Sequence, residues 1–124
     1  MPTAIVVDDA LFMRKVIRKM LEEWGLEVVA EASNGQQAVD LYKEHRPNLM
    51  TLDVTMPLKT GLEALQEIIE LDAKACIVMV TALGQQQRIV EAMELGATDF
   101  IVKPFSNDRF KEVIENALAQ QESE

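Results

Sequence analysis

Apolar residues fall into two kinds of run that alternate along the chain. Ala4-Ile5-Val6-Val7, Leu26 to Ala32, Leu49 to Leu52, Ile77 to Val80 and Phe100-Ile101-Val102 are short and rich in β-branched residues, as strands buried on both faces are. Between them apolar positions recur at three and four residues, which predicts helices. The first runs through Leu11-Phe12-Met13, Val16-Ile17, Met20-Leu21 and Trp24 until Gly25, and the second through Ala38-Val39 and Leu41-Tyr42 to His45. The third carries Leu62, Leu65 and Ile68-Ile69, the fourth spans Gln85 to Leu95, and the fifth, from Ser106 or Asn107, carries Phe110, Val113-Ile114 and Leu118. Ser33-Asn34-Gly35 reads as a turn, Arg46-Pro47 closes the second helix, and Gly96 suits a left-handed cap on the fourth. A β-α unit repeated five times, without linker, repeat or low-complexity stretch, predicts an α/β fold of (βα)5 type. Its sheet is parallel, with helices on both faces and right-handed crossovers. The polar residues 120–124 are expected to form a frayed tail.

Because the strands run parallel, their carboxyl ends share one edge of the sheet, where open α/β folds bind ligands. Asp8 and Asp9 follow the first strand, Asp53 ends the third, Thr81 the fourth and Lys103 the fifth. One Asp after a strand is often a plain turn former. Four polar placements along one edge outweigh that reading for Asp53. Three carboxylates gathered there repel by roughly 4 kcal/mol per pair, at about 4 Å and an effective dielectric near 20. A cation is therefore required. With oxygen ligands only, a hard divalent ion is expected, and Mg²⁺ combines one or two carboxylates with a phosphate and water. An Asp carboxylate can accept a phosphoryl group as nucleophile. Lys103 would then neutralise charge on that group, and the Thr81 hydroxyl could hydrogen-bond one of its oxygens.

Composition narrows the partners. A formal net charge of -9 over 124 residues argues against a nucleic-acid or anionic-membrane binder. The best basic cluster, Arg14, Lys15, Arg18 and Lys19, pairs at i,i+4 and precedes Glu22 and Glu23, so it reads as a solvated, ion-paired helix face, with protein docking as the second reading. Cys76 is single, beside an apolar run, and reads as a buried inert thiol. No signal segment or bilayer-length apolar run is seen, so a cytoplasmic, membrane-free protein is expected. His45 at a helix end complements the dipole, Trp24 packs, and the seven methionines mostly fill core.

Asp8-Asp9, Asp53 with Met56-Pro57, Thr81-Ala82 and Lys103-Pro104-Phe105, in this order and spacing, resemble the receiver domains of two-component response regulators. The resemblance spans essentially the whole chain. It implies the flavodoxin-like (CheY-like) sheet order 2-1-3-4-5, with Asp8 and Asp9 beside Asp53. It implies that Asp53 takes a phosphoryl group from a histidine kinase or a small phosphodonor. Asp9 would hold Mg²⁺ directly, Asp8 largely through water, and Thr55 through its backbone carbonyl. Thr81 and Lys103 would bind the phosphoryl oxygens, and the Lys103-Pro104 bond can be cis. By that resemblance the chain stops after its fifth helix without an output domain, like single-domain CheY-type chemotaxis regulators, so its output would be binding, and a monomer is expected. The expected face is helix 4, strand 5 and helix 5, and the expected partners are a chemotaxis-type kinase, a flagellar motor switch protein and a phosphatase. Phe100 stands where many such regulators have Tyr, so an aromatic switch coupled to Thr81 lacks a hydroxyl. Thr55 and Leu83 occupy positions where relatives carry polar or acidic side chains that influence hydrolysis, and Lys59-Thr60-Gly61 replaces the commoner Met-Asp-Gly.

Three other readings remain. A haloacid-dehalogenase-type phosphatase also uses Asp, Thr, Lys and Mg²⁺, but places its nucleophile on the first strand with another Asp two residues on. An FMN-binding flavodoxin-like domain would need a hydroxyl-rich phosphate loop where Asp8-Asp9 stand. A receiver in a non-flagellar phosphorelay shares every residue named above.

Overall fold

The computed structural model describes residues 1–122. Five strands alternate with five helices: β1 (Thr3–Val7), α1 (Leu11–Glu23), β2 (Glu27–Ala32), α2 (Gly35–His45), β3 (Leu49–Asp53), α3 (Gly61–Leu71), β4 (Ile77–Ala82), α4 (Gln86–Leu95), β5 (Asp99–Lys103) and α5 (Asn107–Glu122). All pairings are parallel, in the order β2-β1-β3-β4-β5. The switch in strand order between β1 and β3 therefore sits beside Asp53, as expected.

Strand periodicity splits the apolar residues into two layers. Ile5, Val7, Met50, Leu52 and Met79 face Ala38, Val39, Leu65, Ile68 and Ile89 of α2, α3 and α4. Ala4, Val6, Leu49, Val78, Val80 and Ile101 face Ile17, Leu21, Phe110, Val113 and Ile114 of α1 and α5. Both faces of β3 are covered, which is why its run is unbroken by polar residues apart from Thr51. Thr51 lies between Val6 and Val78 in the register, and its buried hydroxyl has no hydrogen-bond partner.

Helix ends follow local chemistry. Asn34 caps α2 by accepting from the Gln37 N–H, and Thr60 with Glu63 forms a capping box on α3. Gly25, at φ 90°, turns the chain after α1, and the Leu26 N–H closes back on the Leu21 carbonyl. Trp24 packs edge-on against Phe110, with ring centroids 5.7 Å apart. Cys76 is buried beside the Ala117 carbonyl, and burial pushes its thiol pKa up.

Two expectations are corrected. Residues 120–122 do not leave the fifth helix as a tail, because Gln and Glu propagate a helix and no stop residue intervenes; residues 123 and 124 lie outside the described ones. The basic cluster is not simply a solvated face. Arg18 does pair with Glu22 at 3.4 Å, but Arg14, Lys15 and Arg18 converge on Glu31 of β2, at 3.3, 3.8 and 2.7 Å. Helical spacing brings the three cations to one side, and the neighbouring strand supplies the anion.

Candidate functional site

β1 and β3 are adjacent, so the residues that leave them meet. Oxygens of Asp8, Asp9 and Asp53 lie within 4.8 Å of one another. Asp8 is fully buried and each of its carboxylate oxygens is engaged: one accepts the Ala10 N–H at 2.9 Å, the other Lys103 Nζ at 3.1 Å. Asp9 is exposed. Lys103 reaches across from β5, two strands away, and its ammonium also stands 3.7 Å from Asp53 Oδ2. One amine thus faces two of the three acids. Burial, and then the neighbouring Asp8 charge, push the Asp53 carboxyl up to about 6, against the opposing pull of Lys103 and the Thr55 backbone N–H. All the available donors are oxygens, which is the set a hard divalent cation takes.

Backbone contacts hold this edge from below. A Cβ on Gly61 would lie 2.0 Å from the Asp53 carbonyl oxygen, so only glycine lets α3 start against the end of β3. The Gly61 N–H donates to the Val54 carbonyl at 2.8 Å. Gly35 is pressed equally close to the Lys59 carbonyl, to which its N–H donates at 2.9 Å. That bond ties the β2–α2 turn to the β3–α3 loop, in which Leu58 adopts a left-handed φ of 66°. Lys59 forms an ion pair with Glu67 of α3.

Thr81 follows Val80, the residue paired with Asp53, and is buried. Its hydroxyl donates to the Ala82 carbonyl at 3.3 Å. Beside it, Thr81, Leu83, Ile89, Phe100 and Val102 line an apolar cavity of about 290 Å³ between β4, α4 and β5. Phe100 is half-buried against the α2–α4 layer of the core. Thr55, two residues past Asp53, and Leu83, two past Thr81, have exposed side chains. The Lys103-Pro104 bond is cis.

The sequence matches the response regulator receiver domain family over residues 4–115. The chain belongs to that family. This receiver domain is 54% identical over 114 residues to the chemotaxis protein CheY of Bacillus subtilis, a match covering 92% of this chain and 95% of that protein. It is 49% identical to the protein CcdB of the same organism, covering 95% and 98%. In structure it is similar to CheY in the CheX-CheY-BeF3-Mg complex from Borrelia burgdorferi, with a TM-score of 0.86 and 32% identity over 90% of this chain and 85% of that one.

The structure gathers Asp8, Asp9 and Asp53 with oxygens within 4.8 Å of one another, brings Lys103 to Asp8 and Asp53, seats Thr81 on the adjoining strand, and keeps Phe100 one strand further. Sequence reading missed Arg14, whose Nη1 donates to the Asp8 carbonyl at 2.8 Å, and the close approach of Gly61 to Asp53. For Gly61 a signal existed, a glycine directly before the apolar positions of a helix. For Arg14 none did, because its partner is a main-chain oxygen. No helix among the described residues is long and apolar enough to cross a membrane.

Proposed function

We propose that the chain is a phosphorylation-driven switch in which Asp53 accepts a phosphoryl group in a Mg²⁺-dependent reaction. The observation that carries this reading is the buried Asp53 carboxylate, held between two further acids and a single amine at the carboxyl edge of the sheet. An Asp53 oxygen attacks phosphorus, the bond from phosphorus to the donor breaks, and the donor nitrogen or oxygen leaves with the electron pair. The product is an acyl phosphate on Asp53. Without the metal the Asp53 carboxyl is pushed up to about 6, and a cation bound beside it favours the ionised, reactive form. Lys103 sets its ammonium against the developing charge, and Thr81, once its hydroxyl leaves the Ala82 carbonyl, donates to a phosphoryl oxygen.

Asp9, Asp53 and the Thr55 backbone carbonyl would hold Mg²⁺ directly. Asp8 would act through water, since Ala10 and Lys103 already engage both of its oxygens. When bound, the ion supplies positive charge to the oxygens of the transferring group. The Borrelia relative, described with BeF3 and Mg, supports both assignments, because beryllofluoride mimics a phosphoryl group.

Movement of Thr81 opens the adjoining cavity to Phe100, whose inward rotation would reshape the face formed by α4, β5 and α5. The donor is a histidine kinase of chemotaxis type, and the reader a flagellar motor switch protein, by similarity to the Bacillus chemotaxis protein. A partner of CheX kind is favoured by the Borrelia complex, and a phosphatase of unspecified type and a monomeric working state complete the reading. A second reading, a receiver in another phosphorelay, is favoured by the almost equal identity to CcdB, whose name carries no chemotaxis role.

The test is incubation with Mg²⁺ and acetyl phosphate, followed by intact-mass measurement. One hydroxylamine-labile phosphoryl adduct is expected, absent in Asp53→Asn. Sustained turnover of varied phosphate esters without an adduct would instead establish a phosphatase.

A further inference from the structure

The turn Asp8-Asp9-Ala10 carries two of the three acids, yet no capping side chain of α1 holds it. Its N-cap, Ala10, has no side chain to accept a helix N–H, and the first turn holds no acidic residue. The turn is held by β2 and by the Arg14 side chain of α1. The Asp8 N–H donates to the Ala32 carbonyl at 3.1 Å, and the Asp8 carbonyl accepts Arg14 Nη1 at 2.8 Å. Arg14 is aimed by its other end, where Nε donates to Glu31 Oε1 at 3.3 Å. Glu31 in turn accepts Arg18 Nη1 at 2.7 Å and is largely buried.

We propose that Arg14, locked by Glu31, is a positioning residue that fixes the β1–α1 turn and thereby presents Asp8 and Asp9 to the divalent cation. This rests on the Mg²⁺ reading given above. The planar fork of Arg spans a main-chain carbonyl and a carboxylate at once, which the point charge of Lys cannot do. Charge and geometry also make opposite demands. As a bystander cation, Arg14 opposes metal binding, so its removal tightens the metal. As a positioning group it favours binding, so its loss weakens the metal.

Calorimetric titration with Mg²⁺ alone, without a phosphodonor, separates the two. Arg14→Lys keeps the charge and loses the fork, and should weaken Mg²⁺ about tenfold, within the range seen when groups that orient metal ligands are removed. Arg14→Met should weaken it similarly despite the lost positive charge. Amide hydrogen exchange at Asp8 and Ala10, whose N–H groups bond to Ala32 and to the Asp8 carboxylate, should quicken in both, with exchange in the middle of β2 unchanged. Wild-type affinity in Arg14→Lys, or tighter binding in Arg14→Met, overturns the proposal. Asp9→Asn serves as the control. If it binds Mg²⁺ as wild type does, the metal assignment itself falls and this inference with it; if it does not while Arg14→Lys binds normally, only the inference falls. Should the Arg14 variants misfold, Glu31→Ala leaves Arg14 in place without its anchor, and undiminished Mg²⁺ affinity and slow Asp8 and Ala10 exchange in that variant overturn the proposal.

Discussion

Asp53→Asn should make the metal-free protein more stable, although it removes the reactive group. The carboxyl is raised from 3.8 to about 6, chiefly by burial and then by Asp8. The folded state therefore binds the Asp53 proton more tightly than the unfolded chain does. Between about pH 4 and pH 6 the native protein carries the extra proton, so wild-type stability falls as pH rises through that window and levels off above it. The displacement corresponds to about 3 kcal/mol at pH 8, and with the side chain only 10% exposed, solvent screening trims it little. Asparagine carries no charge and avoids this cost. In EDTA at pH 8, urea unfolding should show Asp53→Asn more stable by about 2–3 kcal/mol, or a melting temperature higher by about 10 °C. The gap should close near pH 4, where both side chains are neutral, and narrow at pH 8 when excess Mg²⁺ is added. Equal stabilities in EDTA at pH 8, or a gap independent of pH, would refute the claim that charge at Asp53 strains the metal-free fold.

Lys103→Met should tighten Mg²⁺ several-fold in calorimetry, because a cation leaves Asp8 and Asp53, while acetyl phosphate labelling slows by about 10²-fold or more. Gly61→Ala drives a methyl group into the Asp53 carbonyl, and denaturant unfolding should show a loss of at least about 2 kcal/mol. Thr51→Val replaces a buried hydroxyl that lacks a partner, and should raise stability by about 1 kcal/mol, read as a higher urea midpoint with unchanged slope. Cys76 should stay unmodified by a thiol reagent at neutral pH until denaturant exposes it.

The layered fold and the gathering of Asp8, Asp53 and Lys103 were legible because each lies at the end of a short apolar run, and a parallel sheet puts all such ends on one edge. Contacts made by main-chain atoms were not. Nothing in the letters around Arg14 indicates that it grips the Asp8 carbonyl, and its anchor Glu31 is 17 residues away on a strand. The loop clasp between Gly35 and Lys59 is equally silent, since either glycine could serve an ordinary turn. Helix ends erred where polarity was read as disorder, as at residues 120–122, whose Gln and Glu side chains are good helix formers. The basic cluster was misplaced for a related reason: helical spacing shows which side chains share a face, and says nothing of the strand that face meets.

The bond from Lys103 to Asp8 joins residues 95 apart in sequence. Every strand but β2 stands between or under those two side chains, so the acids gain their amine only once β1, β3, β4 and β5 have come together. During synthesis the three acids are complete long before their amine is made. A partly folded or nicked molecule holds the carboxylates without the cation that makes one of them useful. On the proposed reading, efficient phosphorylation of Asp53 thus depends on β1, β3, β4 and β5 standing side by side.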